Sequence, residues 1–242
     1  MSDFTPIQVV SFDCYGTLVD RDRGLFEALA LECDGTDPTL LQRLITAQAA
    51  AEWTLICQLE SYILHRELLA RSLVEAAATL AIALDERGAA RVAASIGRWP
   101  LFADTLAALA RMAKRYRLAI VSNVDREELD ETLNCIGLPF ARTITADKVQ
   151  CYKPEPDHLL ALLHELELDE DELLQVSAFP EYDLETAQDL GVPCAYLDRR
   201  DQTPPEELAL RYRAPDLTTL ADLLLRRPRQ PRRPPRRPTR RR

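Results

Sequence analysis

The chain has 242 residues, 47% apolar and 29% charged, enough to bury a full core in one domain with an insertion or in two small domains. Its formal charge of −9 hides an asymmetry: residues 226–242, RRPRQPRRPPRRPTRRR, hold ten of the 30 basic residues and no acid, leaving 20 basic against 39 acidic residues elsewhere. No uncharged stretch is long enough to span a bilayer, and an acidic body repels nucleic acid.

In chain order the first element is IQVVSF (7–12), a short apolar run read as a buried strand. It is too brief for a secretory leader and lacks a basic start, so no leader is expected. The strand ends by pushing Asp13 out at its tip, ahead of a turn through Gly16. A carboxylate there is costly unless something holds it, so it either caps a turn or does chemistry. From Gly24 to about Arg98 the pattern is helical, rich in Leu and Ala, with no proline between Thr39 and Trp99. An all-helical insertion is expected there. The sheet resumes at RWPLFADTLAALARMAKRY (98–116), and further strands are read at YRLAIVSN (116–123), LLQVSAF (173–179) and PCAYLD (193–198). Helices are read at DREELDETLNCIG (125–137), with its acidic first turn and glycine stop, at EPDHLLALLHELEL (155–168) and at DLTTLADLLLRR (216–227).

Alternating strands and helices predict an α/β fold, a doubly wound parallel sheet. Residues 1–19 and 99–225 would form the core, 20–98 a helical domain, and 226–242 an uncored, disordered tail. The tail reads either as a contact for nucleic acid or another anionic partner, or as a solvated extension leaning on the acidic body; no aromatic residue interleaves to stack on bases. Six scattered cysteines with no Cys-x-x-Cys pair suit reduced thiols, and a cytoplasmic location is expected.

In such sheets ligands bind beyond the carboxyl ends of the strands. The first strand delivers Asp13 there with Thr17, the second Ser122 and Asn123, and the third leads to Glu181 and Asp183. The segment ADKVQCYKPEP adds Lys153 before a proline. A carboxylate, a hydroxyl with an amide, an ammonium and a second acid would converge on one rim. Lys153 beside Asp13 would keep that carboxylate ionised, and an ionised aspartate held in a turn suits a covalent nucleophile. The chain uses 27 arginines and only three lysines, which singles out Lys153. The plainer readings are a turn-capping Asp13, ordinary turn hydroxyls at Thr17 and Ser122, and surface amines at Lys114 and Lys148. His65, His158 and His164 lack metal spacing and read as structural; Trp53, Tyr62 and Trp99 read as packing within the insertion.

This arrangement resembles the haloacid dehalogenase superfamily of aspartate-nucleophile hydrolases. FDCYGTLVD looks like its first motif, IVSN its second, YKPEP its third and VSAFPEYDLETAQDLGVP its fourth, in order from residue 7 to about 200. The resemblance implies a Rossmann-like core, a helical cap closing over the site, and Asp13 as the nucleophile. Ser122 and Asn123 would bind the anionic group of a small organic substrate. Lys153 would hold charge, Thr17 would fix geometry, Asp183 would orient Lys153 or water, and Tyr15 would line the site.

Two chemistries are implied. Phosphatase members place an aspartate general acid two residues after the nucleophile, where this chain has Tyr15. They bind Mg²⁺ through the nucleophile, a backbone carbonyl and fourth-motif acids. Here those would be Asp13, Tyr15 and Asp183, with Ala178 at the first acid position and Glu181 as a rescuer. The Asp-x-Tyr-Gly-Thr pattern is instead similar to the 2-haloacid dehalogenases, which displace halide without a metal or other cofactor. Departures exist there too. The halide-binding cap arginine aligns with Ala47, so Arg43 one turn away is expected to substitute; a tyrosine aligns with Leu159 and an asparagine with Phe179. The expected reaction is hydrolytic removal of halide from a small 2-haloacid. The alternatives are a Mg²⁺-dependent phosphatase of a small phosphorylated metabolite and, more distantly, a non-catalytic member recruiting RNA or an acidic partner through its tail. A homodimer would be in keeping with the resemblance.

Overall fold

A computed structural model describes residues 7–200 and 202–226. The Arg/Pro-rich segment beyond Arg226, and the expectations placed on it, lie outside the described residues. Six parallel strands form one sheet in the order β3-β2-β1-β4-β5-β6. They are β1 (Val9–Phe12), β2 (Arg117–Ser122), β3 (Arg142–Thr145), β4 (Leu173–Ser177), β5 (Cys194–Leu197) and β6 (Leu210–Ala214). β1 lies between β2 and β4, and all four of its residues are buried, as expected of a strand covered on both faces. Successive side chains alternate: Val10 and Phe12 join the apolar cluster on one face, Val9 the cluster on the other. Ser11 is satisfied inside the sheet by donating to Gln175 Oε1.

The connecting helices are α1 (Arg21–Glu32), α2 (Pro38–Gln58), α3 (His65–Thr79), α4 (Glu86–Ala93), α5 (Thr105–Met112), α6 (Arg126–Ile136), α7 (Ala146–Val149), α8 (Asp157–Leu166), α9 (Glu185–Asp189) and α10 (Leu217–Leu225). α5, α6 and α10 cover the Phe12 face, with Leu109, Leu129 and Leu220 fully buried, while α8 and α9 cover the other. The order of strands reverses at β1, which makes its carboxyl end the switch point where such sheets bind ligands.

The helical insertion is four helices. Asp20, Asp37 and Asp85 cap α1, α2 and α4 through side-chain oxygens, and Pro38 opens α2. α3 has no cap of its own. Its first amide, at His65, donates instead to Asp125 Oδ2 at 2.8 Å, from the loop after β2. Tyr62 donates to the same carboxylate, and Tyr152 donates to Ile63 O at 2.9 Å. Burial outweighs these bonds and raises the pKa of Asp125 above the ordinary carboxylate value. The helical layer is thereby bolted to the carboxyl edge of the sheet.

β3 and β6 were not expected from the sequence. Both are short, arginine-bearing edge strands, RTIT and LRYRA, partly open to solvent, and charge at a sheet edge masks the apolar signal. Among the described residues no helix is long and apolar enough to cross a membrane. Leu109 has no exposed surface and wedges α5 against the sheet. Leu109→Ala should therefore cost about 2–5 kcal/mol in urea unfolding, with the unfolding slope unchanged.

Candidate active site

Asp13 leaves the sheet with its amide still bonded to Val176 O at 2.9 Å. The chain then turns tightly, with Leu18 and Val19 amides closing on Cys14 O at 2.8 and 2.9 Å. Gly16 adopts φ +99°, and a Cβ there would sit 2.4 Å from the Phe179 ring, so the turn requires glycine on both counts. Thr17 Oγ1 donates to Asp13 Oδ2 at 2.8 Å and accepts the Ala178 amide at 3.1 Å, joining the β1 turn to the end of β4.

Lys153 reaches Asp13 from the loop before α8. Its Nζ lies 2.8 Å from Asp13 Oδ1 and 2.8 Å from Asp183 Oδ1. All three side chains are buried, Lys153 to 3% exposure. Ser177 Oγ donates to Asp183 Oδ2 at 2.8 Å, and Gln175 Nε2 to its Oδ1 at 3.2 Å. Two carboxylates thus share one buried ammonium. Burial works against the charge of Lys153, yet Asp13 and Asp183 together overcome it and raise its pKa. Asp183 is the under-compensated acid. Burial, helped by the charge of Asp13, pushes its carboxyl up to about 6 against the pull of Lys153.

At the end of β2, Ser122 Oγ accepts the Val124 amide at 3.1 Å, and Asn123 Oδ1 accepts the Lys153 amide at 2.8 Å. Asn123, its oxygen so held, lines the cavity described below. His158 sits beneath. Burial first, then the charge of Lys153, push its pKa down to about 3, so a neutral ring donates Nε2–H to Ser122 O at 3.2 Å. From behind, Arg199 Nε donates to Thr17 O at 3.2 Å, while its guanidinium grips Asp104 at 3.0 and 2.8 Å. The Leu217 amide, at the start of α10, donates to the same Asp104 carboxylate at 2.7 Å.

A cavity of about 540 Å³ opens over Asp13. Asp13, Ser122, Asn123 and Lys153 lie at the sheet side, and Arg21, Ile45, Glu52, Trp53 and His65 face them from the helices. Tyr15 presents its ring to the cavity and stacks edge-on against Trp99 at 6.3 Å. Its hydroxyl is drawn away to Thr132 Oγ1 at 2.7 Å, and burial above all raises its pKa well above the ordinary value.

The structure brings together Asp13, Thr17, Ser122, Asn123, Lys153 and Asp183 as the strand ends suggested. It does not bring Arg43. The α2 residues that line the cavity are Gln42, Ile45, Thr46, Ala49, Glu52 and Trp53, one helical face; Arg43 and Ala47 fall off that face, and Arg43 is exposed. Among the described residues the lining arginines are Arg21 and Arg200, neither of which the sequence singled out. Trp53, Trp99 and His65 are also lining residues, not packing alone. Tyr62 bonds the helices to the sheet, and Leu159 is buried under the sheet away from the cavity. Asp183 lies behind Lys153 and does not line the cavity, whereas Glu181 does. Position 178 offers only a methyl group. Among the described residues, no cluster of three or more His, Cys, Asp or Glu side chains is placed to hold a metal.

The family model for haloacid dehalogenase-like hydrolases matches residues 7–191. The chain belongs to this family. The L-2-haloacid dehalogenase PA0810 is similar at 28% identity and a TM-score of 0.76, over 90% of this chain and 99% of its own. The L-2-haloacid dehalogenase of Xanthobacter autotrophicus, solved also with chloropropionic acid covalently bound, has 23% identity and a TM-score of 0.78, over 90% and 98%. The magnesium-bound hydrolase YfnB of Bacillus subtilis has 14% identity and a TM-score of 0.76, over 91% and 99%. Comparison with curated proteins returns no match. Dehalogenases and a magnesium-bound hydrolase share this backbone, so the fold alone does not select the reaction.

The shared ammonium has a measurable signature. Between its unfolded value of 3.8 and its folded value of about 6, Asp183 keeps a proton in the folded protein that the unfolded chain has released. Stability from this group therefore falls as pH rises through that window. From pH 4 to 7 the wild type should lose stability relative to Asp183→Asn, read as the difference between their urea unfolding free energies.

Proposed function

We propose that this hydrolase of the haloacid dehalogenase family removes halide from a 2-haloacid through an ester on Asp13, without a metal. The observation that carries the reading is Tyr15. The second residue after Asp13 offers an aromatic ring whose hydroxyl is committed to Thr132, so no acid stands there to protonate a leaving group. An alkoxide would need that proton; a halide leaves without it. The donor set fits magnesium poorly. Both Asp13 oxygens are taken by Lys153 and Thr17, both Asp183 oxygens by Lys153, Gln175 and Ser177, and a hard cation asks for about six oxygen ligands.

In this reading Ser122 and Asn123 receive the substrate carboxylate. One Asp13 oxygen attacks C2, forming a C–O bond as the C–halogen bond breaks and halide departs with the electron pair. Water then adds at Asp13 Cγ, the ester C–O bond between Cγ and the substrate oxygen opens, and the 2-hydroxyacid leaves with the carboxylate restored and one proton released to solvent. Lys153 sets its positive charge beside Asp13, and Thr17 fixes its orientation. The four helices act as the cap that excludes water during ester formation. Six unpaired cysteines are in keeping with the reducing cytoplasm.

Glu181, which lines the cavity, favours the competing reading of a Mg²⁺-dependent phosphatase. One paired assay separates them. Halide release from L-2-chloropropionate should persist in EDTA and fall roughly a thousandfold or more in Asp13→Asn, with the circular dichroism spectrum unchanged. Phosphate release from p-nitrophenyl phosphate that depends on Mg²⁺, without halide release, would replace the proposal with the phosphatase.

A further inference from the structure

The cavity of about 540 Å³, open to solvent, has more room than a six-atom acid placed on Asp13, Ser122 and Asn123 fills. It falls instead in the range of sites that enclose much larger ligands, about 300–1,000 Å³.

The helical side of this space is not a plain apolar lid. Glu52 lies on the cavity face of α2, and its Oε2 accepts from Gln48 and faces Arg21 at 3.5 Å. Its Oε1 meets His65 Nε2 at 3.5 Å, the outer limit of a hydrogen bond, and has no shorter partner among the described residues. That oxygen keeps most of its accepting capacity. Burial opposes the charge on Glu52, but His65 and Arg21 hold its pKa down to about 2, so it stays ionised. Asp22, 3.2 Å from Arg21, gives the guanidinium a second carboxylate neighbour. Arg21 is thus shared between two acids, and Arg200 and His65 line the same cavity. Because Glu52 lines the cavity, a ligand N–H group placed there can reach its Oε1.

Resting on the dehalogenase reading for its reactive end, we propose that the substrate is an extended 2-haloacid whose far end carries an ammonium or other N–H group that donates to Glu52 beside His65. The carboxylate end sits on Ser122 and Asn123, and the chain between crosses the aromatic wall at Trp53. Glu52 is then a specificity residue. It selects the long amino-bearing acid over its apolar isostere.

The test uses the full-length wild type and two unreactive product mimics, 6-amino-2-hydroxyhexanoate and 2-hydroxyhexanoate, titrated calorimetrically. The amino compound should bind at least about tenfold more tightly, and Glu52→Gln should abolish the preference. If Glu52→Gln fails to fold, Glu52→Asp, which keeps the charge but withdraws it by one methylene, should shrink the preference. Equal binding, preference for the apolar compound, no binding of either, or a preference untouched by these substitutions would overturn the proposal. Halide release from 6-amino-2-bromohexanoate and 2-bromohexanoate is followed in parallel. Release from both at equal efficiency with no binding preference leaves the dehalogenase reading standing and removes this one. A Glu52-dependent preference without halide release from either supports the assigned polar end and removes the dehalogenase reading.

Discussion

One ammonium holding two buried carboxylates is the constraint on which the rest of the site depends. Lys153 stands 2.8 Å from both Asp13 and Asp183. Take it away and two buried acids lose their shared counter-charge, with neither Thr17 nor Ser177 able to supply a positive charge. The arrangement explains why the site is spread over three chain segments: β1 and its turn bring one acid and the hydroxyl, the turn after β4 the other acid, and the loop before α8 the amine. Asn123 fixes the amine from a fourth segment by accepting the Lys153 amide. A parallel sheet with its strand order reversed at β1 is what allows segments so distant in sequence to meet within hydrogen-bonding range.

How much of this could be read from the residues depended on what each signal was made of. β1, β2, β4 and β5 are apolar runs because they lie in or near the middle of the sheet, buried on both faces, so periodicity and punctuation find them. β3 and β6 hide because edge position lets arginine into the strand. Asp13, Ser122, Asn123 and Asp183 were legible because the carboxyl ends of parallel strands share one rim, so a strand assignment is also a placement; Lys153, which follows the hidden β3, stood out only as one of three lysines and by its motif. Arg21, Glu52 and His65 were not. Each sits in a segment that reads as an ordinary amphipathic helix, and nothing local says which stripe of that helix faces the sheet. Arg43 was misplaced for the same reason: proximity along α2 is not proximity in space when the lining face is defined by Gln42, Ile45 and Ala49.

The joint between helices and sheet shows how a polar contact can be structural and still bear on chemistry. Asp125 accepts the first amide of α3 and the hydroxyl of Tyr62 while standing two residues beyond Asn123. The segment that presents the proposed carboxylate-binding groups is therefore the segment that anchors the helical layer. Moving the helices away from the sheet requires breaking contacts next to the floor of the cavity, not at its outer margin.

The grip of Arg199 on Thr17 and Asp104 has a consequence for synthesis. Asp104 is also bonded by the amide of Leu217, in the last described helix. Residue 13 leaves the ribosome early, but β1 has no neighbouring strand until residues 117–177 follow, and the back of its turn is not clamped until residues 199 and 217 arrive. The turn that carries Asp13 is therefore braced by a residue 182 positions further along the chain, so its geometry belongs to the folded protein as a whole and not to the segment that contains it.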